Sequence, residues 1–501
     1  MGHPPPPGRA ITVIQFLLET PPQWVTMGII ALTVIIGLIA AGIVPRNRPA
    51  GAGWGWVLII LMLPILGVVA YLVFGRAQLP QARKDRQRRA PELISDTGPA
   101  ADPDPPDGTG PWLARTVKLN RNNGGFPLAA DNQIEILDDY DSSLTTMAQA
   151  IRTARSAVHF QFYIAVADPT TEPVITALEE AHRRGVTVRV LIDHLGSVGY
   201  PGYQKLVRRL EAADIPWQRM LPVRPWRGEY QRPDLRNHRK ILIIDRTVAF
   251  TGSQNIIDRS YNKKKNRKKG LQWVGLMLRI QGPAVGHLDA VFATDWSCET
   301  GELVAEQTPA PRPQPAPGTI TCQVLPSGPG LEQQSNQELF HHIFATAEKH
   351  ITVCTPYFVP DEALLTALRS AVSRGVQVRL YVGETSTHAA THHAQRSYYE
   401  QLIRAGIRIF LYPAPWVLHA KFVLADGQVA VVGSSNMDIR SFALDHEVNL
   451  MIIDPGFLTR MHTIAENYHQ DSHELHLQEW LARPRHQKYL DNVARLTSAL
   501  Q

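Results

Sequence analysis

The sequence predicts an α/β protein of two tandem lobes related by a pseudo-twofold axis, each a mixed sheet flanked by helices, preceded by an N-terminal transmembrane helical hairpin. Three observations carry this expectation. Two uncharged apolar runs lie near the amino terminus, strand-like runs alternate with amphipathic helical patterns beyond them, and one six-residue constellation occurs twice at the same spacing.

The apolar runs are Trp24–Val44 and Trp54–Phe74, 21 residues each. Each is long enough to cross about 30 Å of hydrocarbon at about 1.5 Å per residue. Trp24, Trp54, Trp56 and Tyr71 lie near the ends, where amphipathic rings favour the interface. A cleaved signal peptide is disfavoured because the first apolar core is too long and a second follows. Arg46 and Arg48 stand between the runs, whereas Arg76, Arg83, Lys84, Arg86, Arg88 and Arg89 follow the second. This asymmetry predicts a membrane protein with two spans and its large remainder in the cytoplasm.

Apolar residues make up 44% of the 501 positions, which excludes both a disordered chain and a polytopic transporter. The net charge of +6 mildly favours anionic partners without choosing between nucleic acid and lipid. Cys298, Cys322 and Cys354 show no metal-ligand spacing and read as buried thiols in a reducing compartment. Composition then divides the chain into residues 1–76 with the spans, a basic and then Pro/Asp/Gly-rich tether over 77–130, a first lobe over 131–308, a Pro-rich linker over 309–318 and a second lobe with C-terminal helices over 319–501.

In the first lobe HFQFYIAV, from His159, leads through a helical pattern to RRGVTVRVLID, from Arg183; in the second ITVCTPYFV, from Ile351, leads to SRGVQVRLYV, from Ser373. Such alternation indicates α/β units with a parallel or mixed sheet. Each lobe then delivers its constellation: His238, Lys240, Asp245, Gly252, Ser253 and Asn255 in NHRKILIIDRTVAFTGSQN, and His419, Lys421, Asp426, Gly433, Ser434 and Asn436 in LHAKFVLADGQVAVVGSSN. The offsets from histidine are 2, 7, 14, 15 and 17 in both. Chance would produce one such set in about 10^-5 of chains this long.

On an extended strand, residues two apart share a face, so each histidine stands beside its lysine. Facing lobes would converge two His, two Lys and two Asn on one tetrahedral anion, with Gly252-Ser253 and the corresponding pair in the other lobe allowing close backbone approach. The lysines and amides supply charge-assisted donors to phosphate oxygens, so the chemistry needs neither metal nor cofactor. One neutral histidine can attack phosphorus while the other, protonated, serves the leaving alkoxide, giving a phosphohistidine. Asp245 and Asp426 lie an odd number of residues from their histidines and are expected to face away and fix the scaffold. His388, His392 and His393 in HAATHH lack the glutamate of HExxH and an obvious third ligand, which argues against zinc.

The duplicated HxKxxxxD pattern resembles the phospholipase D superfamily. Two spans followed by NHRK, TGSQN, PSGPG, TPYFVPD, VLHAK and GSSNMDIRS are similar to its branch of bacterial cardiolipin synthases. The resemblance implies two phospholipase D-like lobes and transfer of a phosphatidyl group between two phosphatidylglycerol molecules, with glycerol released. It also implies His238 as nucleophile, His419 as acid/base, and Glu447 as the acid that orients His238; the two histidines are not distinguished by spacing alone. At the corresponding place after the first motif, Gly275 stands where the family usually has Asp or Glu. Lys263, Lys264, Lys265, Arg267, Lys268 and Lys269 form a candidate patch for an anionic membrane surface. A phospholipase D using water as acceptor is the alternative. The spans and the lack of a nucleic-acid module argue against a nuclease, and the intact His, Lys and Asn of both copies against an inactive scaffold.

Overall fold

A computed structural model describes residues 23–46, 50–75, 81–88, 105–106, 109–302, 304, 318–330 and 335–496. The chain divides into two compact units, residues 1–77 and 78–501.

In the first unit the apolar helix Gln23–Ile43 has the length and composition to cross a membrane. The second expected span is not one helix. It is broken into Ala50–Met62, Pro64–Ala70 and a π-type turn Tyr71–Gly75. Pro64 has no backbone N–H to continue the ladder, and the preceding Leu63 leaves the helical region at φ −135°. Ala40, Val44, Val57, Ile60 and Tyr71 form the small core of this unit, with Trp56 set edge-on to Tyr71 at 5.6 Å. Arg48, Arg76 and Arg89, part of the charge asymmetry, lie outside the described residues, as do residues 309–317 of the Pro-rich linker.

One 16-stranded sheet runs through the second unit. Its centre is the antiparallel pair Leu128–Leu137 and Ile320–Ser327, one strand from each half of the sequence. Outward from Leu128–Leu137 come Met277–Gln281, Val248–Gly252, Lys240–Ile244, Ala157–Phe162, Thr187–Asp193 and Trp217–Met220. Outward from Ile320–Ser327 come Asp445–Ile453, Val429–Gly433, Phe422–Ala425, His350–Cys354, Gln377–Gly383 and Arg408–Tyr412, with His473–Glu474 added at the edge. The same succession on both sides is the pseudo-twofold. In each half the hairpin strands are antiparallel and the outer strands parallel. Lys240–Ile244 and Val429–Gly433 are continuously buried and, Lys240 apart, apolar, whereas the outer strands Trp217–Met220 and Arg408–Tyr412 are only partly buried.

The tether expected over 77–130 is shorter than its composition suggested. Pro111–Asn122 is a helix whose Trp112, Leu113 and Val117 join the core of the second lobe beside Leu339 and Phe340, and the central strand begins at Leu128. The amphipathic spacing of those apolar residues outweighs the Pro/Gly-rich sequence just before them. Cys298, Cys322 and Cys354 are buried free thiols.

Candidate active site

The two histidines are fixed by a reciprocal exchange between the lobes. Arg236–Asn237 pairs in parallel with Asp445–His446, and the His238 amide donates to the His446 carbonyl at 2.8 Å. Gln272–Val274 pairs in parallel with Trp416–Leu418, and the His419 amide donates to the Val274 carbonyl at 2.7 Å. His238 therefore sits at a break just before the strand Lys240–Ile244, and His419 just before Phe422–Ala425, rather than within an unbroken strand. Each lysine reaches back to the carbonyl of its own histidine: Lys240 Nζ to His238 at 2.5 Å, and Lys421 Nζ to His419 at 2.8 Å.

A buried polar network holds the first histidine's segment. Asp295 accepts from Arg239 Nη1 at 2.6 and 2.7 Å, from Gln161 Nε2 at 2.6 Å and from Asn237 Nδ2 at 3.1 Å. With three side chains bonded to it, this buried carboxylate rigidifies the strand start.

His238 Nδ1 lies 2.9 and 3.1 Å from the carboxylate oxygens of Glu447, which Ser434 Oγ also contacts. A carboxylate acceptor at Nδ1 places the proton there and leaves Nε2 as the nucleophilic lone pair. Burial holds His238 well below the usual imidazole range, helped by Lys240, Lys421 and Arg440, so it rests neutral. Burial likewise depresses His419, with Lys421, Lys240 and His238 adding to the effect. Desolvation pushes Lys240 down to about 7 and Glu447 up to about 7, and drives Lys421 well below the usual lysine value. A bound phosphodiester anion reverses the penalty on both lysines.

The pseudo-twofold fails at one place. Ser434 N donates to Val448 O at 3.0 Å and Ser253 N to Leu276 O at 2.8 Å, which puts Gly275 at the position equivalent to Glu447. A Cβ on Gly275 would lie 3.3 Å from Ser253 Oγ, so a side chain there would point at Ser253 as Glu447 points at Ser434. Ser253 Oγ bridges the N–H and carbonyl of Leu276 at 2.8 and 3.1 Å, as Ser434 Oγ does those of Val448 at 2.9 and 3.2 Å.

The expectation of two open amides is also corrected. Asn255 Nδ2 donates to Tyr261 Oη at 2.9 Å and its Oδ1 accepts from Ile164 N at 3.2 Å, so Asn255 is committed to scaffold. Asn436 Oδ1 is buried without a partner among the described residues, so this side chain lacks the acceptor bond that fixes Asn255. Asp245 and Asp426, grouped with the catalytic candidates, lie at the far ends of their strands. Asp245 accepts from the amides of Arg155, Ser156 and Ala157, and Asp426 from those of Glu348, Lys349 and His350. Lys263, Lys264, Lys265, Arg267, Lys268 and Lys269 are exposed on a loop and one short helix. His388 contacts Tyr357 Oη at 2.8 Å and His393 contacts Asp491 at 2.7 Å.

Sequence reasoning missed two aromatic walls. Tyr163 sets its edge against His238, with ring centroids 4.9 Å apart, and Tyr261 approaches His419 at 6.3 Å while stacking on Trp273 at 4.2 Å. Tyr163 directly follows the buried strand Ala157–Phe162, which was its only signal. The site brings together one imidazole held by a carboxylate, a second imidazole, two buried lysines and aromatic rings, a set suited to acid/base chemistry on a phosphodiester.

Comparison with known proteins agrees with this geometry. The family model "Cardiolipin synthase, PLD-like domain" matches residues 147–296 and 340–470, and "Phospholipase_D-nuclease N-terminal" matches residues 28–76. Cardiolipin synthase A of Pectobacterium carotovorum subsp. carotovorum is 31% identical, with 92% of this chain and 95% of that protein covered. Cardiolipin synthase A of Proteus mirabilis is 32% identical, with 92% and 96% covered. The crystal structure of phosphatidylserine synthase from Haemophilus influenzae superposes with a TM-score of 0.58 at 15% identity, covering 77% of this chain and all of that one, a likeness of fold. With paired His-Lys motifs from both halves meeting at one site, and relatives matched along nearly their full length, the chain belongs to the cardiolipin synthase family of phospholipase D-like enzymes.

Proposed function

We propose that this protein is a membrane-anchored phosphatidyltransferase that condenses two phosphatidylglycerol molecules to cardiolipin and glycerol. The observation that supports the reading is the reciprocal strand exchange that crosses the His238–Lys240 and His419–Lys421 segments between the lobes, in a chain whose relatives are cardiolipin synthases.

His238 Nε2 attacks the phosphorus of the first lipid, and the P–O bond to the terminal glycerol breaks. His419, charged once the substrate anion offsets its depressed basicity, gives its proton to the departing alkoxide. Lys240, Lys421 and the Asn436 amide hold the equatorial oxygens as charge builds. Glycerol leaves a phosphatidyl group on His238. The primary hydroxyl of the second lipid loses its proton to His419, attacks phosphorus, and frees His238.

The broken second apolar run still spans in this reading, and the body lies on the cytoplasmic side. The six basic residues just after the run, against two between the runs, support that orientation. The exposed residues Lys263 to Lys269 contact the anionic surface.

The test is incubation of the detergent-solubilised protein with labelled phosphatidylglycerol alone. Cardiolipin with equimolar glycerol is expected, abolished by His238→Ala and by His419→Ala, and wild-type protein denatured during turnover is expected to carry an acid-labile phosphatidyl adduct. Phosphatidic acid as the main product would mean water is the acceptor and would overturn the transferase reading.

A further inference from the structure

The short helix His194–Val198 lies one side chain from the nucleophile. A Cβ on Gly196 would come within 2.5 Å of the Tyr163 ring, Ser197 Oγ donates to the Tyr163 carbonyl at 3.0 Å, and the Tyr163 ring sits against His238. Asp193 joins these parts. Its carboxylate accepts from Gly196 N at 2.7 Å, capping the helix, and from Asn237 N at 2.9 Å, next to His238. Its other neighbour is Arg236, whose Nη2 donates to the Leu221 carbonyl at 3.1 Å, at the base of the hairpin Val223–Arg224/Glu229–Tyr230. That hairpin is fastened to the helix by Val223 N donating to His194 Nδ1 at 3.1 Å.

What the helix and hairpin present outward is apolar. Trp226 at the hairpin tip is 77% exposed, Tyr230 44%, Val198 41% and Leu195 37%. Nothing within the described residues covers them. Cations border the patch: Arg227 is exposed beside Trp226, and Lys263 places its Nζ 4.4 Å from the ring of Tyr200, two residues beyond Val198. Exposed Trp and Tyr rings with interspersed basic residues suit the headgroup layer of an anionic bilayer, where rings enter the interface and cations meet lipid phosphates. A water-soluble partner would gain less from isolated rings on a two-residue-strand hairpin than from a flat or grooved face.

We propose that the Trp226 hairpin and the Leu195/Val198 helix form a docking surface that seats the active-site mouth on the anionic bilayer, independently of the N-terminal apolar helices. Seated this way, a lipid headgroup reaches His238 while its acyl chains remain in the membrane. The inference rests on the reading that the substrate is a bilayer lipid.

The test uses the full chain in vesicles of phosphatidylglycerol and phosphatidylcholine. Trp226→Cys is labelled with an environment-sensitive fluorophore, the native cysteines being buried, and quenched by lipids carrying shallow spin labels. Tyr489→Cys, an exposed site on the helix Arg485–Arg495, gives the comparison. Blue-shifted emission and lipid quenching at 226 but not at 489 are expected. Quenching only by an aqueous quencher at 226, or lipid quenching at 489 instead, overturns the proposal.

A second variant, Trp226→Ser, is expected to lower kcat/KM on vesicle lipid roughly tenfold through KM and to leave turnover of short-chain soluble phosphatidylglycerol unchanged. Equal losses on both substrates overturn it. Lipid quenching at 226 in a protein inactive on phosphatidylglycerol would sink the transferase reading and leave the docking surface standing.

Discussion

Glu447 holds Nδ1 of His238 at 2.9 Å, and no carboxylate occupies the equivalent place opposite His419, where the chain has Gly275. The two imidazoles are thus chemically unequal despite identical local motifs. His238, with its carboxylate, is held in one tautomer, and His419 has no carboxylate at the equivalent place, an inequality that fits the proposed division into nucleophile and acid/base.

Glu447→Gln keeps a hydrogen-bonding side chain but removes the charge that stabilises His238 as it becomes cationic. The expected result is a kcat about 10- to 100-fold lower with KM little changed, read by steady-state turnover of labelled lipid. The burst of glycerol release that accompanies adduct formation should slow by the same factor, since the defect lies in the nucleophile.

Gly275→Glu restores the missing acid. Its Cβ would lie 3.3 Å from Ser253 Oγ and 3.4 Å from Gln254 Cβ, so these neighbours must move by a few tenths of an ångström. Burial and the two lysines depress His419, and an added carboxylate opposes both effects. The alkaline limb of the kcat–pH profile should move upward by about one unit, with faster turnover above neutrality. An unmoved limb in a folded variant would mean that another group already supplies the charge.

Lys240, held near 7 by burial, gives a pH signature to anion binding. Above 7 the free site carries Lys240 largely neutral, and binding of a phosphodiester raises its basicity, so a proton is taken up. Below 7 the lysine is already charged and contributes no uptake. Affinity for an unreactive phosphonate analogue should therefore fall by up to about tenfold per pH unit above 7 for each such group and level off below it. Calorimetry in buffers of different ionisation enthalpy reads the proton uptake directly.

The legible part of the site was the part written in short-range spacing. His238 with Lys240, and His419 with Lys421, could be placed because a two-residue offset fixes a common face, and duplication implied two lobes. Asn255 and Asn436 read alike in the sequence and differ in the fold because Tyr261, at φ +56°, turns its hydroxyl onto Asn255. That depends on a loop conformation outside the motif. Tyr163 was invisible for a similar reason: which aromatic beyond a buried strand covers a catalytic ring is decided by the packing of the Gly196 helix. Pro64 was in plain view, but hydropathy averaged over a span is blind to a missing N–H.

The remaining prediction separates scaffold from chemistry at the motif aspartates. Asp245 accepts from three consecutive amides at 2.7 to 3.0 Å and from Ser156 Oγ at 2.8 Å, in a turn where its own φ is +51°. Asp426 repeats the arrangement at φ +54° with the amides of Glu348, Lys349 and His350. Asp245→Ala removes the acceptors and places a residue that tolerates the left-handed region poorly, so a loss of about 1–3 kcal/mol of stability is expected. Asp245→Asn keeps the backbone preference and one acceptor oxygen, and should lose less. Thermal unfolding in detergent should follow the order wild type, Asn, Ala, while kcat and KM of the folded fraction stay within about twofold of wild type. A large fall in kcat at unchanged melting temperature would place Asp245 in the reaction and contradict the turn geometry.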